Sequence, residues 1–216
     1  MSIEHHPSET MAAAYATGRL DFGQHVAMAT HLVSCRQCRD QVRAAEETGG
    51  DLLSALPPAP LADDALARME ARLAEPDRLP RSPSKPTAPA SEIPGLPAFL
   101  RSYPFDAWRS VAPSLEARAI RLPHPTPTRV FLLKARPGSR LLLHTHKGFE
   151  LTCVLTGGFS HEGGHFGPGD FDIGDGAVSH EPWIDAGQDC ISLVAMQGSL
   201  KLRGLLGALV QPFVRL

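Results

Sequence analysis

The stretch HLVSCRQC, residues 31–38, places one imidazole and two thiols at the spacing His31-x3-Cys35-x2-Cys38. Residues three and four apart lie on the same side of a helix, so on a helix or at a helix–turn junction the three side chains face one side. Thiolates and imidazoles are the ligands that close structural zinc sites, and such a site needs four of them. The stretch therefore predicts a zinc site that stabilises a small helical domain.

The fourth zinc ligand is expected among the nearby histidines. His5 and His6 are the candidates, and His25 is a weaker one because it precedes His31 by six residues and so lies on the opposite face. We predict His6, because this bond would tie the start of the chain to the second helix and hold the first helix in place. The alternative is two core thiols and a buried histidine without metal. The helical spacing of the three residues, in a module with few aromatic side chains, argues against it.

Capping residues and glycines predict four helices in residues 1–75. The predicted limits are Ser8 or Thr10 to Gly18, Asp21 onward, Arg36 to Gly49-Gly50, and Asp63 or Asp64 onward. Such a series of short helices is the setting in which the zinc site is expected.

A change of composition divides the chain. Proline recurs seven times between residues 76 and 97, and such a stretch sustains neither helix nor ladder hydrogen bonds. Beyond it, β-type runs separated by glycines lie at 129–135, 140–144, 150–155, 171–173 and 189–196, which predicts an antiparallel sandwich or barrel. The predicted fold class is α+β multidomain. It has a small all-α zinc-binding helical domain at 1–75, a Pro-rich linker at 76–97 and an all-β barrel at 98–216.

The β-rich half carries a second and chemically different ligand set, His144-x-His146-x3-Glu150 with a later His180. His144 and His146 point to the same face of a strand, because side chains alternate with a period of two. Residues 147–149 are expected to form a short loop that returns Glu150 to the same cavity, and His180 comes from a separate strand. Three imidazoles and one carboxylate suit Zn, Mn, Fe, Ni or Co and leave one or two coordination positions open.

This stretch resembles the first motif of the cupin family. The matching positions are Gly138-x5-His144-x-His146-x3-Glu150-x6-Gly157. The second motif is matched by Gly169-Asp170 and His180, whereas Asp175, Ala177 and Ile184 replace the usual proline, glycine and asparagine. The resemblance implies a cupin barrel that retains all four metal ligands. The alternative is a cupin whose histidines no longer bind metal.

The remaining histidines and cysteines are not expected to bind metal. His161 and His165 near the second motif, and His124 among prolines, are predicted to be solvent-facing loop residues. Cys153 has odd parity relative to Glu150 on a regular strand, so it is expected to face away from the metal. Cys190 is predicted to be a buried thiol, the common fate of a free cysteine.

Composition argues against several classes of function. The net charge of −2 comes without a Lys/Arg block, so nothing supports direct nucleic-acid binding. The first ten residues lack the basic and apolar regions of a secretory signal, and the apolar runs are too short to span a bilayer. With two cysteines assigned to metal, the remaining two form no disulfide framework. A cytoplasmic protein is therefore expected.

The four predicted zinc ligands reproduce the His…His-x3-Cys-x2-Cys pattern of zinc anti-sigma domains, and residues 1–74 resemble that four-helix module. With the linker and the cupin, the whole chain, including the terminal Gln211-Pro212-Phe213 segment, resembles ChrR-type zinc anti-sigma factors. The resemblance implies a transcriptional regulator whose helical domain packs between the two conserved regions of an extracytoplasmic-function sigma factor. It also implies that the cupin is needed to release that partner in the stress response to singlet oxygen.

Two other functions compete with this interpretation. A His3Glu cupin is also the scaffold of metal dioxygenases, so the chain could be a cupin metalloenzyme with an attached protein-binding domain. The cupin could also be only a dimerisation or ligand-binding module, and weak self-association stays open. The attached partner-binding module and the lack of a clear acid or base beside the ligands favour a regulator that is not an enzyme.

Overall fold

The computed structural model of the chain describes residues 2–75, 93–176 and 181–202. Most of the predicted linker, the predicted ligand His180 and the terminal segment after 202 lie outside the described residues, as does the side chain of His146. Within the described residues, no helix is long and apolar enough to cross a membrane.

The first half forms the four predicted helices: α1 (Glu9–Ala16), α2 (Phe22–Ser34), α3 (Arg36–Ser54) and α4 (Ala65–Ala74). The Ser8 side chain caps α1 by accepting the Met11 N–H, and Asp21 forms a capping box at the start of α2. Gly18, at φ +66°, takes the left-handed conformation that ends α1. These limits confirm the predictions made from caps.

The predicted end of the third helix at Gly49-Gly50 is wrong, because α3 continues to Ser54. Glycine inside a helix costs about 1 kcal/mol relative to alanine, which weakens a helix without forbidding it. Neither glycine has the positive φ of a helix-ending residue. The apolar pair Leu52 and Leu53 is thereby carried on one more helical turn, where both side chains are exposed.

In its described residues, the second half contains a short 3₁₀ helix (Ala98–Ser102) and nine strands in two antiparallel sheets. The six-stranded sheet has the order β1-β2-β3-β9-β4-β7, and the three-stranded sheet has the order β6-β5-β8. The strands are β1 (Arg109–Ala112), β2 (Leu115–Ala119), β3 (Arg129–Ala135), β4 (His144–Thr156), β5 (Phe159–His161), β6 (Gly164–Phe166), β7 (Phe171–Asp175), β8 (Trp183–Ile184) and β9 (Cys190–Leu202). This order of helices and sheets confirms the predicted α+β class.

Strand β4 corrects two local predictions. It runs without interruption from His144 to Thr156, so residues 147–149 are not a loop. Of the predicted run 140–144, only His144 belongs to a strand, and Arg140 makes one isolated bridge. Gly148 lies opposite Gly198 of β9, both with positive φ. A Cβ on either residue would collide with backbone of the other strand. The glycine that suggested a turn is thus the residue that lets two long strands pass closely.

The faces of the large sheet are distinct. Odd-numbered residues of β4, such as Leu151 and Cys153, belong to a core cluster that also contains Val26 and Ala27 of α2. Even-numbered residues, such as Val154, pack into the interior between the two sheets. Helix α2 therefore covers the outer face of the six-stranded sheet, and Cys153 lies on that face, opposite in parity to Glu150, as predicted.

The segment before the 3₁₀ helix takes part in the same core. Ile93 and Leu96, at the end of the predicted linker, are buried together with Leu100 against the sheet. Apolar side chains at these positions anchor the chain where it enters the β-rich half. The boundaries of 1–75, 76–97 and 98–216 stay predictions.

Polar contacts at the start of α2 complete the docking of the helical module on the sheet. The Asp21 carboxylate, which caps α2, also accepts hydrogen bonds from the hydroxyls of Thr126 at 2.8 Å and Thr128 at 2.6 Å. Gly23 lies directly against Thr128. The absence of a side chain at Gly23 is what allows this close approach of helix and strand.

Gly23 gives a direct test of this docking. An alanine there would place a Cβ 2.7 Å from the Thr128 Cβ, so we expect Gly23→Ala to lower the free energy of unfolding by about 1–3 kcal/mol. Gly49→Ala is the control, because nothing lies within 4 Å of that position and alanine stabilises an open helix by about 0.5–1 kcal/mol. Urea unfolding of the full chain measures both. If both variants changed the free energy of unfolding in the same direction, the docked arrangement would be contradicted.

Candidate metal centres

The junction of α2 and α3 creates the local geometry of the first candidate centre. Cys35 is at once the last capping residue of α2 and the N-cap of α3, and its Sγ accepts the Cys38 N–H at 3.4 Å. His31 lies one turn earlier on α2 and is fully buried. The three residues of the opening motif therefore converge because one helix ends and the next begins at the first cysteine.

The fourth side chain of this group is His6, as predicted. Its Nδ1 lies 3.3 Å from the Sγ of Cys35 and 3.5 Å from the Sγ of Cys38, and the ligand atoms of all four residues lie within 4.8 Å of one another. Four ligand atoms arranged tetrahedrally at about 2.0–2.3 Å from a zinc ion are about 3.3–3.8 Å apart. The two sulfur–nitrogen distances fit that spacing.

The hydrogen bonding of His31 provides a further test of the fit to a cation. Nδ1 lies 2.8 Å from the carbonyl oxygen of Gly169, which can only accept, so Nδ1 carries the proton. Nε2 is then left with its lone pair, and in the described part of the chain it is buried without a hydrogen-bond partner. Burial lowers the pKa of His31 and favours the neutral ring. A neutral imidazole held by its other nitrogen is the form that binds a metal ion.

The thiols lead to the same assignment. Burial, with the Cys35 thiol as its neighbour, raises the pKa of Cys38 above its ordinary value. Without a cation the group would remain protonated, whereas a coordinated zinc deprotonates the thiol. The residues present therefore fit a zinc ion, with His6, His31, Cys35 and Cys38 as the side chains that would hold it.

The two histidines considered as alternatives for the fourth ligand lie elsewhere. His5 stacks on Phe166 of β6 with ring centroids 4.1 Å apart. His25 stacks on Tyr15 of α1 at 4.4 Å, away from the sulfur atoms. Both rings are occupied by aromatic contacts that help hold the helices and the chain start in place.

The second candidate centre is described in part. His144, at the start of β4, is buried, and its Nδ1–H donates to the Leu142 carbonyl at 2.7 Å, so Nε2 is the nitrogen that would bind a metal ion. Burial lowers the pKa of His144 and raises the pKa of Glu150 to about 7. The Thr152 hydroxyl donates to Glu150 at 3.2 Å, consistent with both side chains facing the interior. A metal ion at this place would have to displace a proton from Glu150.

His161 corrects a prediction, because it is buried and lies on strand β5 rather than in an exposed loop. Its Nδ1 accepts the Gly163 N–H at 2.9 Å, and its Nε2–H donates to the Asp172 carboxylate of β7 at 3.1 Å. The ring stacks on Phe166 at 4.8 Å. The alternation of Phe159 and His161 in the sequence was the available signal that both side chains share a buried face.

The other predicted positions are as follows. His165 is exposed as predicted, although it lies on β6, where it contacts the Asp185 carboxylate at 2.8 Å. His124 is an exposed loop residue. Cys153 and Cys190 are both buried free thiols, and burial raises the pKa of the first to about 12 and of the second to about 11. Neither is poised as a reactive thiolate.

Comparisons with known proteins agree with the predictions made for the helical half and for the β-rich half. Residues 105–199 match the family described as the ChrR cupin-like domain. The anti-sigma-E factor ChrR of Cereibacter sphaeroides is 34% identical over 216 residues, which is all of both proteins. The crystal structure of Rhodobacter sphaeroides SigE in complex with the anti-sigma ChrR matches with a TM-score of 0.73 and 30% identity, over 91% of this chain and 100% of that one. The chain therefore belongs to the ChrR family of anti-sigma factors.

Proposed function

We propose that this chain is an anti-sigma factor that sequesters an extracytoplasmic-function sigma factor through its zinc-binding helical module. Release of the partner follows oxidative stress of the singlet-oxygen type, sensed through the metal-binding cupin. The full-length relative is named an anti-sigma-E factor, and the similar solved structure holds SigE and ChrR in one complex. Because a sigma factor acts with RNA polymerase, the proposal places the chain in the cytoplasm, without direct contact to nucleic acid or membrane.

The observation that carries this proposal is the apolar face of α4. Leu66, Met69 and Leu73 lie at helical spacing on one side and are 63%, 53% and 78% exposed. In the described part of the chain, no residue of α4 is buried. An amphipathic helix with no partner for its apolar side marks a protein interaction site.

Exposed leucines continue this apolar surface along the chain. Leu52, Leu53, Leu56 and Leu61, at the end of α3 and in the following connection, are all more than half exposed. Together with the face of α4 they form what we call the α3–α4 apolar surface, defined by Leu52, Leu53, Leu56, Leu61, Leu66, Met69 and Leu73. Helix α2, by contrast, packs against the cupin. The sigma factor is thus expected at a surface that cupin docking leaves free.

The role we assign to zinc is structural. Its proposed ligands come from the chain start, α2 and the start of α3, so one ion would cross-link three segments of the module. Two thiolates and two imidazoles fill a tetrahedral site and leave no position for substrate. Zinc binding therefore maintains the fold that presents the α3–α4 apolar surface.

The cupin role rests on a ligand set of His144, His146, Glu150 and His180, which would hold Zn, Mn, Fe or Ni. When bound, the metal would supply a coordination centre reactive toward oxidants. The chain supplies buried imidazoles, those of His144 and His161, and imidazoles react readily with singlet oxygen. We infer that the cupin senses oxidants and does not catalyse a reaction.

The test of the proposed function is co-expression of the full chain with each extracytoplasmic-function sigma factor of its genome. We expect one of them to co-purify at equal stoichiometry, with about one zinc per helical module. A metal-loaded chain that binds none of them and instead consumes O2 with a small-molecule substrate would support the metalloenzyme alternative.

The sensing role predicts the behaviour of His144→Ala. We expect this variant to bind the sigma factor like the unmodified chain, because His144 lies in the cupin interior, while oxidant-triggered release is lost. Sigma-dependent reporter expression before and after illumination with a photosensitiser measures both properties. A variant with an intact response to singlet oxygen would contradict the sensing role of this residue.

A further inference from the structure

The contact between the two halves of the chain reaches the candidate zinc ligands themselves. Residues 167–171, which connect β6 to β7, are called the docking turn. Its Gly169 carbonyl accepts the Nδ1–H of His31 at 2.8 Å. Its Phe171 N–H donates to the carbonyl of His5 at 3.1 Å, directly before the ligand His6. One turn of the cupin thus holds the chain beside two ligands that belong to different segments of the helical module.

Asp170 is the centre of this contact. Its Oδ1 accepts the backbone N–H groups of Glu4 at 2.7 Å and His5 at 2.9 Å, while its Oδ2 accepts the N–H of Gly167 at 2.8 Å. The residue is only 5% exposed. A buried carboxylate is stable when backbone donors satisfy it, and here two of those donors come from the helical module. Asp170 is therefore bonded both within the docking turn and to the start of the chain.

Packing around Gly169 reinforces the same contact. Gly169 has a positive φ of +93°, and a Cβ there would lie 2.7 Å from the Cδ1 of Ile3 and 3.4 Å from the Cβ of Ser34. The ring of Phe171 meets the ring of His31 edge-on, with centroids 5.6 Å apart. The chain start and the end of α2 thus both lie against backbone and ring of the docking turn.

We propose that the docking turn of the cupin is part of the zinc site, with Asp170 and the Gly169 carbonyl as positioning groups for the segment of His6 and for His31. Zinc affinity of the helical module then depends on the docked cupin. This inference rests on the zinc site of the proposed function and deepens it, because it names the cupin groups through which the two modules communicate. Groups that orient metal ligands in this way typically contribute 10- to 100-fold to metal affinity.

Strand β7 connects the docking turn with the cupin interior. The turn is fixed to β4 by two backbone hydrogen bonds, from Gly169 N to the Val154 carbonyl and from Val154 N to the Asp170 carbonyl. Two residues beyond Asp170, Asp172 accepts from His161 and lies opposite Thr152, the residue that donates to Glu150. A displacement of β7 in the cupin interior would therefore be transmitted to the positioning groups of the zinc site.

The first experiment compares Asp170→Asn with Thr128→Val in the full chain. An asparagine has one oxygen in place of two, so it cannot accept from both the chain start and Gly167. Thr128→Val removes a hydrogen bond to Asp21 at the other end of the same interface. We expect Asp170→Asn to raise the zinc dissociation constant about tenfold or more, measured by competition with a chromophoric chelator. Thr128→Val is expected to leave it within about twofold.

A second pair of variants leaves the cupin unchanged. Glu4→Pro removes one of the two chain-start N–H groups that Asp170 accepts, whereas Glu4→Ala keeps it, and the Glu4 side chain itself is exposed. We expect weaker zinc binding only in the proline variant. The visible absorption bands of the Co²⁺-substituted chain are the second readout, since they report ligand geometry and would shift in Asp170→Asn and Glu4→Pro.

The outcomes separate this inference from the proposed function. Unchanged zinc affinity and unchanged Co²⁺ bands in Asp170→Asn would overturn the inference alone, as would an equal loss of affinity in Thr128→Val. An unmodified chain that binds no zinc would overturn the proposed zinc site and the inference with it. Weakened zinc binding in Asp170→Asn and Glu4→Pro, with both controls unaffected, would support it.

Discussion

Replacing Cys38 with serine is expected to reduce bound zinc from about one ion per helical module to near zero and to unfold that module. In the described residues, the cluster around the two cysteines contains four other buried apolar residues, Ala12, Met28, Leu32 and Val42, with partly buried side chains against it. So small a core contributes little stability by itself. Structural zinc, by contrast, contributes about 10–16 kcal/mol of apparent binding free energy in small zinc domains. Its loss would exceed the stability that the module can otherwise reach.

Metal analysis and far-ultraviolet circular dichroism of the full chain measure this result. The matched control is Cys190→Ser, which makes the same change at a buried thiol of the β-rich half, far from the zinc ligands along the sequence and in a different core cluster. We expect Cys190→Ser to keep its zinc, its helix content and its sigma factor. A Cys38→Ser chain with full zinc and unchanged helix signal would contradict the structural role of the metal.

The second large effect, a loss of affinity for the sigma factor, is expected from Leu66→Asp combined with Leu73→Asp on α4. Both side chains are exposed in the chain alone, so the double variant should fold and bind zinc normally. In a complex, apolar side chains at the centre of an interface contribute about 2 kcal/mol or more each. We therefore expect the affinity for the sigma factor to fall at least about 30-fold for each change.

Ala71→Asp is the control for this prediction, because it introduces the same charge on the opposite side of α4, where the side chain is also exposed. Calorimetry or surface plasmon resonance with the purified sigma factor compares the variants. If Leu66→Asp/Leu73→Asp bound the sigma factor as tightly as Ala71→Asp, the α3–α4 apolar surface would not be the binding site. The zinc content of both variants shows that the module is intact.

Local spacing predicted much of the candidate zinc centre. Helical periodicity placed His31, Cys35 and Cys38 on one side, and the structure brings their ligand atoms together. His6 was chosen because it would tie the chain start to α2, and the structure places it there. These relations involve short sequence separations or simple chain connectivity. Metal binding by the four residues, and by the cupin set, stays a prediction.

The sequence did not predict the continuity of strand β4 or the burial of His161 in the cupin. The Gly148 position suggested a loop, but its role depends on Gly198 of β9, fifty residues later, which lies opposite it. His161 was expected in solvent, but its burial depends on Phe166 and Asp172, which come from two other strands. Strand pairing brings distant residues together, and a single sequence records no such pairing.

The sequence by itself predicted the two candidate ligand sets, and it determined the main helix caps, the parity of Cys153 and the family resemblance, because each depends on neighbouring residues or on a motif of fixed spacing. Only the tertiary structure decided that α2 covers the cupin sheet and that Gly169 and Asp170 contact the segments of His31 and His6. These contacts join residues more than 90 positions apart. Packing of an apolar helix face on an apolar sheet face brings them together, and that packing has no signature in local periodicity.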